Sequence, residues 1–376
     1  MNESATQIRT RRPARAEAGF SLLEFIVAVA IFTVVVGAIY GLLEVGRSDA
    51  FNTSQMTETM QNGRIALNTI GRDAINSGVG YWKSGGRVPD GTLERLLFLP
   101  TDTDTVDDWL TPIVPGNGVR VIDVDGTDVP TDAVTFVYQD NTFNGGRSLA
   151  VTAVNYTTNT LTVSPNNSVA ASGDLYVYMI DDGGQPALGS LTSIPAVGGT
   201  TLVFGSGDPL QLNNPGAGST FRTLNSSAAC KRITWVTYFV TDNHVLVRRV
   251  YGKTAAIVGT GVEDGGIGGI VPEAGNTGNG VGFVEMPLAY GVEDFQVKYV
   301  MEDGTTVDDV VGYTDAGGTF IPANVVRQNI RLVKIELNLR GSQIDNKTKE
   351  PVRVDLTASF YTPNVVVPER PSGAGA

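Results

Sequence analysis

Glu24 is a carboxylate in apolar company: it follows Leu22-Leu23 and precedes Phe25 to Leu43, 19 residues without a charge. A charge at the centre of a membrane helix costs about 2.5 to 3.5 kcal/mol on insertion scales and less near the interface, so such a residue is a functional candidate by default. The other reactive side chains offer less. His244 is the one histidine and stands beside the turn pair Asp242-Asn243, where a solvated turn residue is the plain reading. One histidine and one cysteine, Cys230, make no zinc site unless carboxylates fill the remaining positions. Cys230 itself reads as a small buried or half-buried side chain. Asp102, Asp104, Asp107 and Asp108 form one acidic cluster, and Asp123, Asp125 and Asp128 form another. Carboxylate clusters in loops can hold Ca²⁺, but neither has EF-hand spacing and both read as solvated acidic loops. Gly252-Lys253-Thr254 imitates the end of a phosphate-binding loop, with Val247 where the first glycine belongs. The sequence therefore offers no catalytic residue, no metal ligand set and no cofactor site, and no enzyme is expected.

The element that must position Glu24 is a helix. The run from Phe25 to Leu43 covers roughly 28 Å at about 1.5 Å per residue, the hydrocarbon thickness of a bilayer. Arg9, Arg11, Arg12 and Arg15 precede it and would keep the N-terminus cytoplasmic, sending the rest across the membrane. A secretory signal has an apolar core of about 7 to 15 residues and a small-residue cleavage site; here the core is too long and Val36-Gly37-Ala38 imitates such a site only faintly. A plain single-pass anchor fits the length and leaves Glu24 unexplained. No proline occurs between Phe20 and Gly78, so one helix can continue into the exported part. From Glu44 the pattern becomes one-sided: Met56, Met60, Gly63, Leu67, Ile70 and Ala74 define a face expected to pack on a sheet, and Gly78 and Gly80 end the helix. Gly37 and Gly41 form a small-xxx-small pair suited to close helix approach.

Composition bounds the remainder. Net charge is −12, and about −14 after Gly19, which argues against nucleic acid as a partner of the exported part. A single cysteine excludes an intrachain disulfide. Forty-five glycines among alternating Val, Tyr and Leu runs describe a β-rich extracytoplasmic protein. Strands are expected at Arg95 to Leu99, Val119 to Val124, Ala133 to Tyr138, Ser148 to Tyr156, Thr160 to Ser164, Leu175 to Ile180 and Thr201 to Phe204. Ile233 to Val240 and His244 to Tyr251 form the clearest hairpin, with positive φ expected at Asp242-Asn243. Strands resume at Val292 to Met301, Arg331 to Arg340 and Val352 to Tyr361. Gly259 to Gly282 reads as a loop, and Pro368 to Ala376 as a disordered tail.

Gly19-Phe20-Ser21-Leu22-Leu23-Glu24, after a basic leader and before an apolar helix, resembles the type IV prepilin N-terminus. The resemblance implies that prepilin peptidase cuts after Gly19 and methylates Phe20, which places Glu24 at the fifth mature position, where the family carries its glutamate. When such helices bundle, a buried carboxylate needs a cation, and the family's logic supplies the N-terminal amine of a neighbouring subunit. Gln61 to Leu67 with Arg72 to Ile75, Tyr238-Phe239-Val240, Leu246 to Arg249, Tyr290 to Tyr299 and Ile330 to Arg340 are similar in order and character to PilW-type minor pilins. The resemblance covers about half the chain; residues 100–230 match nothing in it and read as an inserted β domain. Many pilins carry a C-terminal disulfide, which this chain lacks.

The implied fold class is α+β: a leader over 1–19, a pilin helix over 20–78 with its membrane half at about 20–43, and a β-rich periplasmic region over 79–366. The implied function is pilus assembly or priming at the filament tip. The implied partners are other minor pilins, the major pilin, prepilin peptidase and a tip adhesin. A minor pseudopilin of type II secretion and a membrane-anchored periplasmic binding protein or enzyme are the competing readings.

Overall fold

The computed structural model describes residues 21–101, 105–163, 176–193, 195–196, 198–252, 282–344 and 349–366. Helix α1 runs unbroken over Leu22–Asn76, 55 residues. Ser21 starts it as N-cap, and Gly78, with φ 81°, turns the chain away at its end. Then come β1 (Gly86–Val88), α2 (Thr92–Leu97), β2 (Asp108–Leu110), β3 (Ile113–Val124), β4 (Thr127–Gln139), β5 (Leu149–Asn155) and β6 (Thr160–Val163). They are followed by β7 (Val177–Asp181), β8 (Ala187–Ser190), β9 (Thr201–Val203), β10 (Ala229–Val240), β11 (Val245–Tyr251), β12 (Phe283–Tyr290) and β13 (Val292–Met301). The last elements are β14 (Thr306–Val307), β15 (Tyr313–Thr314), β16 (Phe320–Ile321), α3 (Ala323–Val326), β17 (Ile330–Ile344), β18 (Pro351–Tyr361) and α4 (Pro363–Val366). The class is α+β, a long apolar N-terminal helix followed by antiparallel sheets.

Strand β10 belongs to two sheets. Ile233 to Tyr238 pair with β4, and Val236 to Val240 pair with β11, giving the antiparallel order β3-β4-β10-β11-β12. Its first residues, Ala229 to Arg232, pair instead with β7, and Ala229 and Cys230 also with β5, leading into β8-β1-β2 on one side and β6-β9 on the other. At Gly291 the chain leaves β12 for the separate sheet β14-β13-β17-β18; its φ is 71°, and a side chain there would strike the Arg340 carbonyl, so only glycine makes this corner comfortably.

Helix α1 lies on β17 and β18, and the alternation of those strands explains why. Val333, Ile335, Leu337 and Leu339 of β17 point inward, with Leu356, Ala358 and Phe360 of β18 beside them, and Ala66, Leu67, Ile70 and Ala74 of α1 complete that core. Gly63 packs against Leu356 and Leu339, and Gly71 against the Phe360 ring, so closely that a Cβ at either position would overlap these side chains. The same core continues through Val236, Tyr238 and Leu246 to the five-stranded sheet. A second core, around Trp235, Leu96 and Tyr251, fills its other face.

Three expectations change. The strand expected at Arg95 to Leu99 is the helix α2, because Leu93, Leu96 and Leu97 recur at helical spacing and all three are buried. The inward face of α1 differs at its membrane-proximal end: Met56 is 47% exposed and Met60 half-buried, while Gln55 and Thr59 turn inward. The sheet end beneath them is polar, with Ser342 donating to Gln55, so the buried stripe there is not apolar. In the β10–β11 hairpin the positive φ falls on His244, at 59°, after a turn closed by His244 N to the Thr241 carbonyl. The remaining expected strands are found within a few residues. The glycine-rich stretch before Gly282 and the tail from Pro368 lie outside the described residues.

Candidate functional site

Every residue from Ser21 to Arg47 is exposed except Val36, which is half-exposed, although Phe25, Ile31, Phe32 and Leu42 are among them. This stretch is long and apolar enough to cross a membrane. An apolar surface of this extent on a chain that has built cores elsewhere is completed by lipid or by other helices. Gly37 and Gly41 have nothing within 4 Å of where a side chain would stand, so both present open backbone to whatever packs there.

Glu24 has one described partner, its own helix start. Its Oε2 accepts from Ser21 N at 3.0 Å, while Ser21 Oγ accepts from Leu23 N at 3.3 Å, a reciprocal capping box. The carboxylate thus reaches back toward the residue that follows Phe20. Gly19 and Phe20 themselves lie outside the described residues.

The other end of α1 carries a second carboxylate in opposite circumstances. Asp73 is fully buried and accepts from Arg248 Nε at 2.7 Å, Tyr238 Oη at 2.5 Å and Tyr138 Oη at 3.0 Å. Burial alone would lower the Arg248 guanidinium, and the Asp73 charge outweighs it, so its pKa moves up. Burial, reinforced by Asp73, also raises both tyrosine hydroxyls. The guanidinium and the two phenols thus close around Asp73, a set that fixes the helix on the sheet.

Such buried polar joints recur. Asp132 accepts from Gly118 N and Val297 N, both at 2.7 Å, joining the two main sheets; burial raises its pKa. Arg249 pairs with Glu285 at 2.6 Å, its guanidinium within 4.2 Å of the Phe283 ring and 4.6 Å of the Phe239 ring. Asp208, pushed up to about 6 by burial, holds Leu212 N and Asn213 N.

The reactive side chains singled out from sequence are employed structurally. Asp125 is shared by Arg340 at 3.2 Å and Arg353 at 3.1 Å, and Glu293 joins them, tying the β3–β4 hairpin tip to β17 and β18. Asp123 accepts from Gly126 N in that tip. Asp108 caps α2 through Thr92 N and Leu93 N, and Asp107 lies 3.7 Å from Arg87; Asp102 and Asp104 lie outside the described residues. His244 Nδ1 donates to the Val292 carbonyl at 3.0 Å. Cys230 is fully buried in β10, which raises its thiol pKa. Among the described residues no group of His, Cys, Asp or Glu stands together as a metal site.

Sequence reasoning missed Asp73 and Arg248, and both left a trace. Asp73 occupies an inward position of α1, between Ile70 and Ala74, and Arg248-Arg249 interrupts an otherwise apolar strand between Val247 and Val250. Charges at inward positions on two elements call for each other.

The family described as the prokaryotic N-terminal methylation motif matches residues 14–40. No curated protein matches the chain. The motif, continuous with the exposed apolar half of α1, supports a type IV pilin-like chain and implies processing by prepilin peptidase.

Proposed function

We propose that the chain is a minor pilin of a type IV pilus, of the PilW type, made as a prepilin and held in the inner membrane with its N-terminus cytoplasmic. Prepilin peptidase cuts after Gly19 and methylates Phe20. The protein then enters the pilus at or near the tip and acts in assembly or priming by subunit contact, without catalysis. Its partners are other minor pilins, the major pilin and a tip adhesin.

The observation that supports this reading is the apolar half of α1, open on all sides and bearing Glu24 five positions into the mature chain. In water or lipid the carboxylate can stay with Ser21 N. Once neighbouring helices enclose it, one backbone N–H does not offset the desolvation of a charge, and a cation does. The amine of Phe20 on an adjacent subunit supplies that cation, so the pair fixes the axial register of one helix against the next. Tip position and assembly role follow from the PilW-type resemblance.

Mass spectrometry of membrane-extracted protein tests the reading at its first step. A chain beginning at Phe20 with one added methyl group is expected. An uncleaved leader, or a mature start after Ala38, overturns it.

A further inference from the structure

An unpaired sheet edge is a row of backbone donors and acceptors, and proteins blunt such rows by shortness, proline, bulges or covering. Among the described strands every edge but one is blunted. The larger sheet ends at β2 and β9, three residues each, and at β3 and β12, which carry Pro115 and Pro287 and a register shift apiece. The separate sheet ends at β14, two residues long, and at β18. Strand β18 has 11 residues, its one proline is the first of them, Pro351, and its register with β17 is unbroken from Arg353 to Tyr361. Among the described residues no strand pairs with its other side.

Thr362 N donates to the Arg331 carbonyl, so by the alternation of an antiparallel pair the even-numbered residues of β18 bond to β17. Arg353, Asp355, Thr357, Ser359 and Tyr361 therefore turn their N–H and C=O groups to the open side. Gly63 lies on Leu356 and Gly71 on Phe360, so α1 runs above this strand in the same direction. Gly71 and Asp73 stand about 200° apart around the helix. Asp73 faces Arg248 of the five-stranded sheet, so the Gly71 flank, with Met60, Arg64 and Ile75, overhangs the open side of β18. Leu356, Ala358 and Phe360 are only half-buried beside it, and Arg64 makes no ion pair among the described residues.

We infer that the open edge of β18 takes an extended strand of a different protein, with apolar side chains at alternate positions toward α1 and a carboxylate among them for Arg64. A row of backbone donors and acceptors is satisfied in full only by another strand, which fixes the mode as strand addition. The helix-facing side chains of that strand land on Phe360, Ile75 and the Arg64 guanidinium, which fixes their chemistry. A second copy fits poorly, because the open strand it offers is β18 again. Paired antiparallel, it would point the two membrane halves of α1 in opposite directions. Paired parallel and in register, it would lay Arg353 and Asp355 beside their like. One added strand covers the edge, so the contact ends there. It adds a mode of contact to the proposed role in assembly and does not require that role.

Fluorescence anisotropy on the full-length protein in detergent, with a labelled peptide as the probe, tests this. The peptide is as long as Arg353 to Tyr361, alternates valine with threonine and carries one glutamate among the valines. Saturable binding is expected. In an extended peptide the valine amides face one edge and the threonine amides the other, so N-methylation of one set should abolish binding and of the other should spare it. Thr357→Pro removes an N–H that β17 does not use and should weaken binding by roughly tenfold or more, whereas Thr357→Val keeps it and should bind like wild type. Arg64→Glu should weaken binding, and lysine in place of the peptide's glutamate should restore it. No saturable binding, equal binding of the two methylated peptides, or Thr357→Pro binding as well as Thr357→Val overturns the inference. So does binding that appears only once residues 368–376 are removed, which would make the chain's own tail the occupant. Each of these results leaves cleavage after Gly19 and entry into pili untouched.

Discussion

From Leu22 to Val45, α1 turns Phe25, Ile31, Phe32 and Leu42 outward and buries nothing; from Gln55 to Asn76 the same helix buries Ala66, Leu67, Ile70 and Ala74 against a sheet. Each half holds one informative carboxylate. Asp73 meets a cation and two phenols supplied by its own fold, whereas among the described residues Glu24 meets the N–H of Ser21 alone. One helix therefore contains a section whose interactions are complete within the chain and a section whose interactions are left to its surroundings. Changes in the first should be felt by an isolated subunit. Changes in the second should be felt only where subunits or lipids surround it.

The largest effect is expected at the completed carboxylate. Arg248→Met removes the cation and leaves Asp73 charged and buried, at a cost of about 3 to 5 kcal/mol read as a lowered denaturation midpoint. Adding Asp73→Leu to that variant should recover most of the loss, because an apolar pair of similar volume replaces an uncompensated charge. A single Arg248→Met variant as stable as wild type would mean that α1 is held by apolar contact alone, and the contrast between the halves would reduce to burial.

That network also marks where the sequence was least legible. Continuous apolarity, missing proline and three- and four-residue spacing show a helix from Leu22 to Asn76 because those signals are local. The β10–β11 hairpin was legible for the same reason, although its left-handed residue is His244 and not Asp242 or Asn243. The Asp73–Arg248 contact spans 175 positions, and no local period reports a pairing made by the fold. Met56 misled for a related reason: spacing gives the phase of a helix, but a polar sheet end can seat Gln55 and Thr59 where an apolar stripe is expected. Arg95 to Leu99 misled because a short apolar run fits strand and helix alike until its neighbours are known.

A smaller effect compares glycines across the two halves. Gly71→Val would press branched carbons into the Phe360 ring and should cost about 1 to 3 kcal/mol by overpacking. Gly37→Val meets nothing within 4 Å and should leave the subunit's stability unchanged or slightly improved. Thermal melts of the two full-length variants in the same detergent give the measurement. Equal losses at both positions would show that the membrane half already makes intramolecular contacts, against the division drawn here.

The smallest effect on the subunit, and the most informative about assembly, is expected at Glu24. Glutamine keeps a carbonyl oxygen at the place where Glu24 Oε2 accepts from Ser21 N, so Glu24→Gln preserves the capping box and removes only the charge. Stability should change by less than about 0.5 kcal/mol, since capping with glutamine is nearly equivalent at an exposed helix start. Cleavage after Gly19 should proceed, because the bond cut lies outside the helix that Glu24 caps. Entry into the filament is different: the neighbour's amine then faces a neutral amide in an apolar setting, and the ratio of pilus-associated to membrane protein should fall about tenfold, the equivalent of about 1.4 kcal/mol. Glu24→Ala loses cap and charge together, so its further loss beyond Glu24→Gln measures the cap alone. An unchanged ratio in Glu24→Gln would make Glu24 an interfacial carboxylate that caps its own helix, and would transfer the work of joining the filament to the β-rich region.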